Sequence, residues 1–183
     1  GFDSNIQTWV RGDLPGGLTA FFKMITTLGN TSVQAVIAIL AVIWLYLRQY
    51  KAEAIFVGTS GVLASIMIMS LKYIYQRPRP SITHLVHAGG YSFPSGHSLG
   101  TFMILGAIAI VLTQRLVKKA AKTAVYGITG LLIFLVGLSR IYVGVHYPTD
   151  VLAGFTLAFG LLNAIYPTYD RIRFEWRFQS KQK

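Results

Sequence analysis

Three short clusters contain the residue types in this sequence that could do chemistry. They are Lys72–Pro80, Pro94–His97 and Ser139–Asp150, and each lies at the end of a long apolar run. A Lys or Arg at the centre of a membrane span costs on the order of 2.5 to 3.5 kcal/mol, so cations that recur at span ends indicate a function. Together the clusters supply cations, histidines and a carboxylate, a set suited to binding and cleaving a phosphate group.

The first cluster, with the sequence KYIYQRPRP, separates Lys72 from Arg79 by six residues. Pro78 and Pro80 prevent a helix from continuing, so the donors turn out of the bundle. Arg offers a planar fork that matches phosphate oxygens, and Lys supplies a compact charge. A Lys/Arg run at a span end is by itself more often an interfacial anchor, and Arg77 is open to that interpretation.

The second cluster, FPSGHS, immediately precedes an apolar helix. Ser95 is a natural N-cap for that helix, and Gly96 lets the backbone approach a ligand closely. The free N–H groups at a helix start form an anion site. His97 in this position could protonate a departing oxygen, although such a tetrapeptide alone is more often an ordinary capped helix with an interfacial histidine.

The third cluster consists of Ser139-Arg140, five residues, His146, three residues and Asp150. Pro148 suits a helix start, and in a helical turn His146 and Asp150 at i and i+4 share one face. The carboxylate can then accept from one imidazole nitrogen and leave the other directed at a substrate. The spacing alone would also fit a structural surface pair, but Arg140 at the same span end favours a site.

The chain that must position these clusters is strongly apolar. Of its 183 residues, 53% are hydrophobic and 13% are charged, and none is cysteine. This composition excludes an ordinary soluble domain, disulfides and thiolate chemistry. We predict an all-α, multi-pass transmembrane bundle formed as one domain over residues 1–183. Its five spans, each extendable toward the roughly 20 residues that cross a bilayer, are Val33–Leu47, Ala54–Leu71, Leu99–Leu112, Ala124–Leu138 and Val151–Tyr166.

Apolar residues at helical spacing also precede the first span, from Leu18 to Leu28, after the breaker Pro15-Gly16-Gly17. They predict an amphipathic helix. The sequence leaves open whether this helix lies in the membrane interface or packs in the outer shell of the bundle.

The basic residues orient the chain in the membrane. Segments 48–53, 115–122 and 171–183 hold eleven Lys or Arg in total, and the opposite face holds six. By the positive-inside rule the eleven-charge face is cytoplasmic, which places all three clusters on the outer face of the cell membrane. The last segment is short and better explained as a topology and lipid anchor, so we expect no nucleic acid partner.

Taken together, K-x6-R-P, P-S-G-H and S-R-x5-H-x3-D resemble the three-part signature of the phosphatidic acid phosphatase type 2 superfamily. They match at every signature position, in the family's order, between Lys72 and Asp150. The resemblance implies that His146 attacks phosphorus to form a phosphohistidine, that Asp150 orients it and that His97 protonates the leaving oxygen. No metal or other cofactor is then required. The residues that would hold the phosphoryl oxygens are Lys72, Arg79, Ser95, Gly96 and Arg140.

Within this superfamily the chain is most similar to the membrane lipid phosphatases, which implies a lipid phosphate substrate such as phosphatidylglycerophosphate. Two alternatives remain open: an undecaprenyl diphosphate phosphatase, and a non-enzymatic head-group-binding or scrambling protein. Such enzymes typically have six spans, so a first span is expected upstream of Gly1. The oligomeric state is not predicted. His84 and His87 have a spacing that could suit a metal, but no carboxylate or thiol accompanies them, and we predict loop histidines with a role in gating or head-group contact.

Overall fold

The computed structural model describes all 183 residues and contains seven helices. The sequence explains several of their ends. Gln76 takes a left-handed conformation and ends the fourth helix just before Pro78, and Ser95 caps the start of the fifth. The helices are α1 (Phe2–Arg11), α2 (Gly16–Leu28), α3 (Thr31–Leu47), α4 (Lys51–Tyr75), α5 (Gly96–Thr113), α6 (Lys119–Tyr142) and α7 (Pro148–Phe178).

Helices α4 to α7 are each long and apolar enough to cross a membrane. With 17 residues, α3 rises only about 25 Å, less than the roughly 30 Å of a hydrocarbon core. Helices α2 and α3 meet at a bend of 49° and qualify together as a fifth, broken span. The predicted all-α transmembrane bundle is confirmed, and the five predicted stretches lie within α3 to α7.

Helix α5 forms the centre of the bundle and packs against α3, α4, α6 and α7. Leu99, Met103, Ala107 and Val111 are at most 2% exposed. Because residues four apart lie on one helix face, they form a continuous buried stripe. Large apolar side chains on the outer helices, such as Trp44 on α3, stay exposed, as expected for surfaces that contact lipid.

Helix α7 is longer than the predicted span that ends at Tyr166. It continues through Pro167 to Phe178, although an internal proline removes one backbone hydrogen bond. Contacts with α4 explain the extension. The ring of Tyr169 stacks on Phe56 at 4.1 Å, and Arg177 donates to the buried carboxylate of Glu53 at 3.0 Å.

The N-terminal helices pack on the site end of the bundle. The predicted Leu18–Leu28 helix is α2, and it packs on α6 with Phe22 against Tyr142 at a ring distance of 4.5 Å. This favours the outer-shell arrangement. Helix α1 packs on α6 and α7 and was not predicted. It buries polar residues, Gln7 and Arg11, and leaves Trp9 83% exposed.

Candidate active site

The three clusters line one cavity. Its volume is about 980 Å³, and it lies where α4 and α6 end and α5 and α7 begin. The predicted site residues on its wall are Lys72, Arg79, Gly96, His97, Arg140 and His146. Ser95 and Asp150 are fully buried and lie behind that wall.

Backbone carbonyls hold the guanidinium of Arg79 in position. Its Nε donates to Gly90 O at 3.0 Å, Nη2 donates to Gly89 O at 2.7 Å and Nη1 donates to Val145 O at 2.8 Å. Burial lowers the pKa of Arg79, and the charge of Asp150 opposes that shift. Lys72, in the last turn of α4, donates to the carbonyl of Tyr91. Two cations are thus fixed beside the cavity by the loop that follows α4.

At the start of α5 the backbone N–H groups are available as donors, whereas the Ser95 hydroxyl is engaged within the helix cap. Ser95 Oγ accepts from the N–H of Ser98 at 3.3 Å and from its hydroxyl at 2.9 Å. The serine side chain therefore caps the helix as predicted, and a phosphate role for Ser95 would fall to its backbone. Next to it, Nε2 of His97 hydrogen-bonds Asn30 Oδ1 at 3.1 Å. Asn30 sits between α2 and α3 and was not foreseen from the sequence.

Arg140 projects from the last turn of α6. One nitrogen, Nη1, donates to Thr26 Oγ1 at 2.7 Å, and Nε is buried without a partner. Arg140 is only 4% exposed, so leaving its Nε–H without a hydrogen-bond acceptor costs stability unless a ligand supplies that acceptor. Its position on the cavity wall fits an anion as that partner.

His146 lies between Arg79 and Asp150. Its Nε2 is 3.3 Å from Nη1 of Arg79, and its Nδ1 is 3.4 Å from Asp150 Oδ2, a separation longer than that of a strong hydrogen bond. Burial lowers the pKa of His146 to about 4; Asp150 opposes this shift, and Arg140 and Arg79 reinforce it. The imidazole is therefore neutral near pH 7, the state a nucleophile requires.

The cap of α7 produces the proximity of His146 to Asp150. The helix begins at Pro148, as predicted, with Tyr147 as its N-cap, so His146 precedes the helix and does not share its first turn with Asp150. Asp150 Oδ2 accepts from the backbone N–H of Tyr147 at 2.9 Å. The carboxylate is thereby anchored to the residue that follows the histidine.

Two further residues belong to this group. Arg77 donates through Nη1 to Asp150 Oδ1 at 2.6 Å and through Nη2 to Asp3 Oδ2 at 2.8 Å. Arg77 is therefore not the interfacial anchor that the sequence left open. Its place in the first cluster was a usable signal, but Asp3 lies outside every cluster and carried none.

The loop histidines His84 and His87 both lie in the segment between α4 and α5. His84 Nε2 is within 2.9 Å of the carbonyl of Pro80, and His87 lies on the cavity wall. No three His, Cys, Asp or Glu side chains lie close enough together to hold a metal ion.

From the cations, the cavity continues between α3 and α4. There its walls are mostly apolar, and several of the lining side chains are also exposed on the outside of the bundle. The cavity therefore reaches the lipid-facing surface sideways. Lining residues of this groove are Ala38, Ile39, Val42, Ile43, Val62, Ile66 and Met69.

Known proteins are similar to this chain in sequence and in fold. The family model described as the PAP2 superfamily matches residues 53–174. Phosphatidylglycerophosphatase B of Bacillus subtilis is 43% identical over 106 residues, which are 57% of this chain and 49% of that protein. The undecaprenyl-diphosphatase BcrC of the same organism is 32% identical over 133 residues, 69% of this chain and 64% of that protein. The chain thus spans about half to two thirds of the length of these curated relatives.

A solved structure has the same fold as this chain. The crystal structure of a transmembrane PAP2-type phosphatidylglycerolphosphate phosphatase from Bacillus subtilis superposes with a TM-score of 0.86 at 29% identity. The match covers 93% of this chain and 85% of that one.

Proposed function

This chain belongs to the PAP2 superfamily, and we propose that it is a membrane phosphatase that hydrolyses the phosphomonoester of a lipid such as phosphatidylglycerophosphate. The observation that carries the proposal is the position of His146. One ring nitrogen lies 3.3 Å from the guanidinium of Arg79 on the cavity wall, and the other lies 3.4 Å from a buried carboxylate. Nucleophile, orienting group and anion-binding cations are thus present together.

The reaction proceeds in two displacements. In the first, the lone pair on Nε2 of His146 attacks phosphorus, the bond from phosphorus to the lipid oxygen breaks, and His97 gives that oxygen a proton. In the second, water attacks the phosphohistidine, His97 takes the water's proton, and inorganic phosphate leaves. Asp150 balances the positive charge that develops on the imidazole.

The cations stabilise the transition state. Charge spreads over the three equatorial oxygens of the transferring group, and fixed donors stabilise it without reorganising. Carbonyl oxygens hold Arg79 and Lys72, and Arg140 has a free Nε. Helix α5 begins at Gly96 and adds the backbone N–H groups of its first turn. These groups supply the positive field that a metal ion supplies in many other phosphoryl-transfer enzymes.

The groove between α3 and α4 gives the lipid a way in. A substrate that enters sideways keeps its tails in hydrocarbon, whereas pulling them into water would cost about 0.8 kcal/mol per CH₂. The basic residues favour a cytoplasmic location for the opposite end of the bundle, so the proposal includes an active site on the outer face. Phosphate would then be removed in the outer leaflet.

A second candidate substrate is undecaprenyl diphosphate, favoured by the 32% identity to an undecaprenyl-diphosphatase over 69% of this chain. A long prenyl tail would lie in the same groove, and one further phosphate would need additional cations at the site.

The test is phosphate release from purified protein in bilayers, measured with phosphatidylglycerophosphate, phosphatidic acid and undecaprenyl diphosphate. The proposal expects turnover of at least one of the monoesters, retained in EDTA and lost in His146→Ala. Preference for the diphosphate would favour the second candidate. No release from any lipid, combined with transfer of labelled lipid between leaflets, would favour a scramblase and contradict the proposal.

A further inference from the structure

We propose that Arg77 and Asp3 are positioning residues for the catalytic dyad: Arg77 fixes the carboxylate of Asp150, and Asp3 fixes Arg77. This inference rests on the proposed function, because it assumes that Asp150 orients His146. It extends the catalytic machinery into α1, which contributes nothing to the signature motifs.

Arg77 determines the plane of the Asp150 carboxylate. A carboxylate can direct a histidine only if it cannot rotate away from it. Asp150 is fully buried, with Oδ1 accepting from Arg77 at 2.6 Å and Oδ2 accepting from Tyr147 N–H at 2.9 Å. These two donors on different oxygens leave Oδ2 facing Nδ1 of His146 at 3.4 Å. Removal of Arg77 would free one oxygen and let the group turn.

Asp3 in turn determines the position of Arg77. The guanidinium lies over the ring of Tyr147 at 4.0 Å, and its Nη2 donates to Asp3 Oδ2 at 2.8 Å. Thr149 closes the arrangement, because its N–H and hydroxyl both donate to Asp3, at 2.9 and 2.8 Å. Asp3 is thereby anchored to the first turn of α7, the same turn that contains Asp150.

The charges also indicate that Asp150 depends on Arg77 and that Arg77 depends on Asp3. Arg77 sits between two carboxylates, so Asp3 takes up part of its positive charge. Burial by itself would lower the pKa of Arg77, but the hydrogen bond to Asp3 and the charges of Asp150 and Asp3 raise it overall. Burial would raise the pKa of Asp3, and the hydrogen bonds from Thr149 and Arg77 lower it overall. Without Asp3, the positive charge of Arg77 would act on Asp150 alone and weaken the interaction of that carboxylate with His146.

Helix α1 is built to hold this contact. Asp3, Gln7 and Arg11 recur every fourth residue and therefore face one side. Gln7 Nε2 donates to the carbonyl of His146 at 3.4 Å, and Arg11 Nη2 donates to the carbonyl of Thr83 at 2.9 Å. Polar residues at three successive turns of α1 therefore contact three segments around the site: Asp3 contacts Arg77 and the start of α7, Gln7 contacts His146, and Arg11 contacts the loop between α4 and α5. We infer that α1 keeps Asp3 in register with Arg77.

The experiment compares Arg77→Gln, Arg77→Lys and Asp3→Asn with the wild type in the same bilayers. In metal sites, loss of a residue that orients a ligating histidine typically costs about 10- to 100-fold, and we take the same range as the scale for a positioning residue here. We expect kcat to fall by about that factor in Arg77→Gln and by about tenfold in Asp3→Asn, with KM and vanadate affinity within about threefold of wild type. Arg77→Lys should recover part of the loss, because it restores one donor to Asp150.

Double variants separate positioning from folding. In an Asp150→Asn background, Arg77→Gln should cost almost nothing further, because its effect runs through that carboxylate. The matched control is Arg177→Gln, which removes a buried-carboxylate ion pair at the other end of the bundle and should lower the melting temperature without lowering kcat. Equal losses of kcat from Arg77→Gln in both backgrounds would overturn the proposal.

A measurement without turnover keeps this test independent of the proposed function. The 15N spectrum of histidine-labelled protein, with His146 identified by His146→Gln, should show a changed Nδ1 signal in Arg77→Gln and Asp3→Asn and none in Arg177→Gln. An unchanged signal would contradict the positioning role. If the wild type releases no phosphate while Arg77→Gln and Asp3→Asn show the changed signal, only the proposed function is contradicted.

Discussion

Nε2 of His146 lies 3.3 Å from Nη1 of Arg79. A guanidinium can only donate, so Nε2 must accept, and the ring proton is therefore on Nδ1, on the side of Asp150. The lone pair of the histidine faces the same space as the donors that would hold phosphate oxygens. On this relationship we propose that His146 is the nucleophile.

The first prediction concerns the protonation of His146. Its pKa is lowered to about 4 in the folded protein, against about 6.5 when unfolded. Between these values the unfolded chain binds the extra proton and the folded chain does not, so the free energy of unfolding falls as the pH falls through this window. Histidine 15N spectra recorded from pH 7 to pH 4, with His146→Gln for assignment, should show a neutral ring at pH 6. A His146 midpoint at pH 6.5 or above would contradict this.

The second prediction concerns oxyanion binding. Vanadate resembles the transferring phosphoryl group and should inhibit competitively. Arg140→Lys keeps the charge but loses the planar fork and the hydrogen bond to Thr26, and should weaken vanadate binding by at least about tenfold, equivalent to about 1.4 kcal/mol. Isothermal titration measures this directly. The matched control is Arg171→Lys on the exposed end of α7, which should bind like the wild type; equal affinity in Arg140→Lys would place the site elsewhere.

The third prediction concerns the groove between α3 and α4. Ala38 lines it, so a bulky side chain in Ala38→Trp should obstruct the lipid tails. We expect kcat/KM to fall by about tenfold or more for a long-chain lipid phosphate and to change little for a short, water-soluble phosphate, because tail binding contributes only to the first. Val36→Trp, on the exposed side of the same helix, is the control. Equal losses for both substrates would argue against tails in this groove.

The fourth prediction concerns the side of the membrane that holds the site. The chain has no native cysteine, so single cysteines report cleanly. His87 and Lys119 are both exposed, at opposite ends of the bundle. His87→Cys should react with an impermeant thiol reagent added to intact cells, and Lys119→Cys should react only after the cells are opened. The reverse pattern would place the active site in the cytoplasm.

The sequence predicted the cations and histidines of this cavity, because those residues fall within three short segments at span ends, and it did not predict the apolar groove between α3 and α4. Apolar runs and proline positions were enough to bring Lys72, Arg79, His97, Arg140 and His146 to one face. Local pattern also identified the cap at Ser95 and the helix start at Pro148. These features depend on neighbours in sequence, which periodicity and helix-end rules describe well.

The remaining features depend on contacts between distant residues. Asp3 reaches Thr149 across 146 positions, and Asn30 reaches His97 across 67. Neither position has a local pattern that distinguishes it from other surface polar residues. Helix α7 continues past Pro167 because Phe56 and Glu53 stabilise its far end. A local rule that ends helices at proline takes no account of such tertiary contacts. Tertiary packing decided each of these cases.

The central claim is that His146 carries the phosphoryl group, and trapping that intermediate tests it most directly. His97→Ala lacks the proposed proton donor, but a substrate with an activated leaving group such as p-nitrophenol does not need one. After rapid acid-free quenching with labelled substrate, we expect label on His146 in His97→Ala and no protein-bound label in His146→Ala. Label on a serine, or label that persists in His146→Ala, would contradict it.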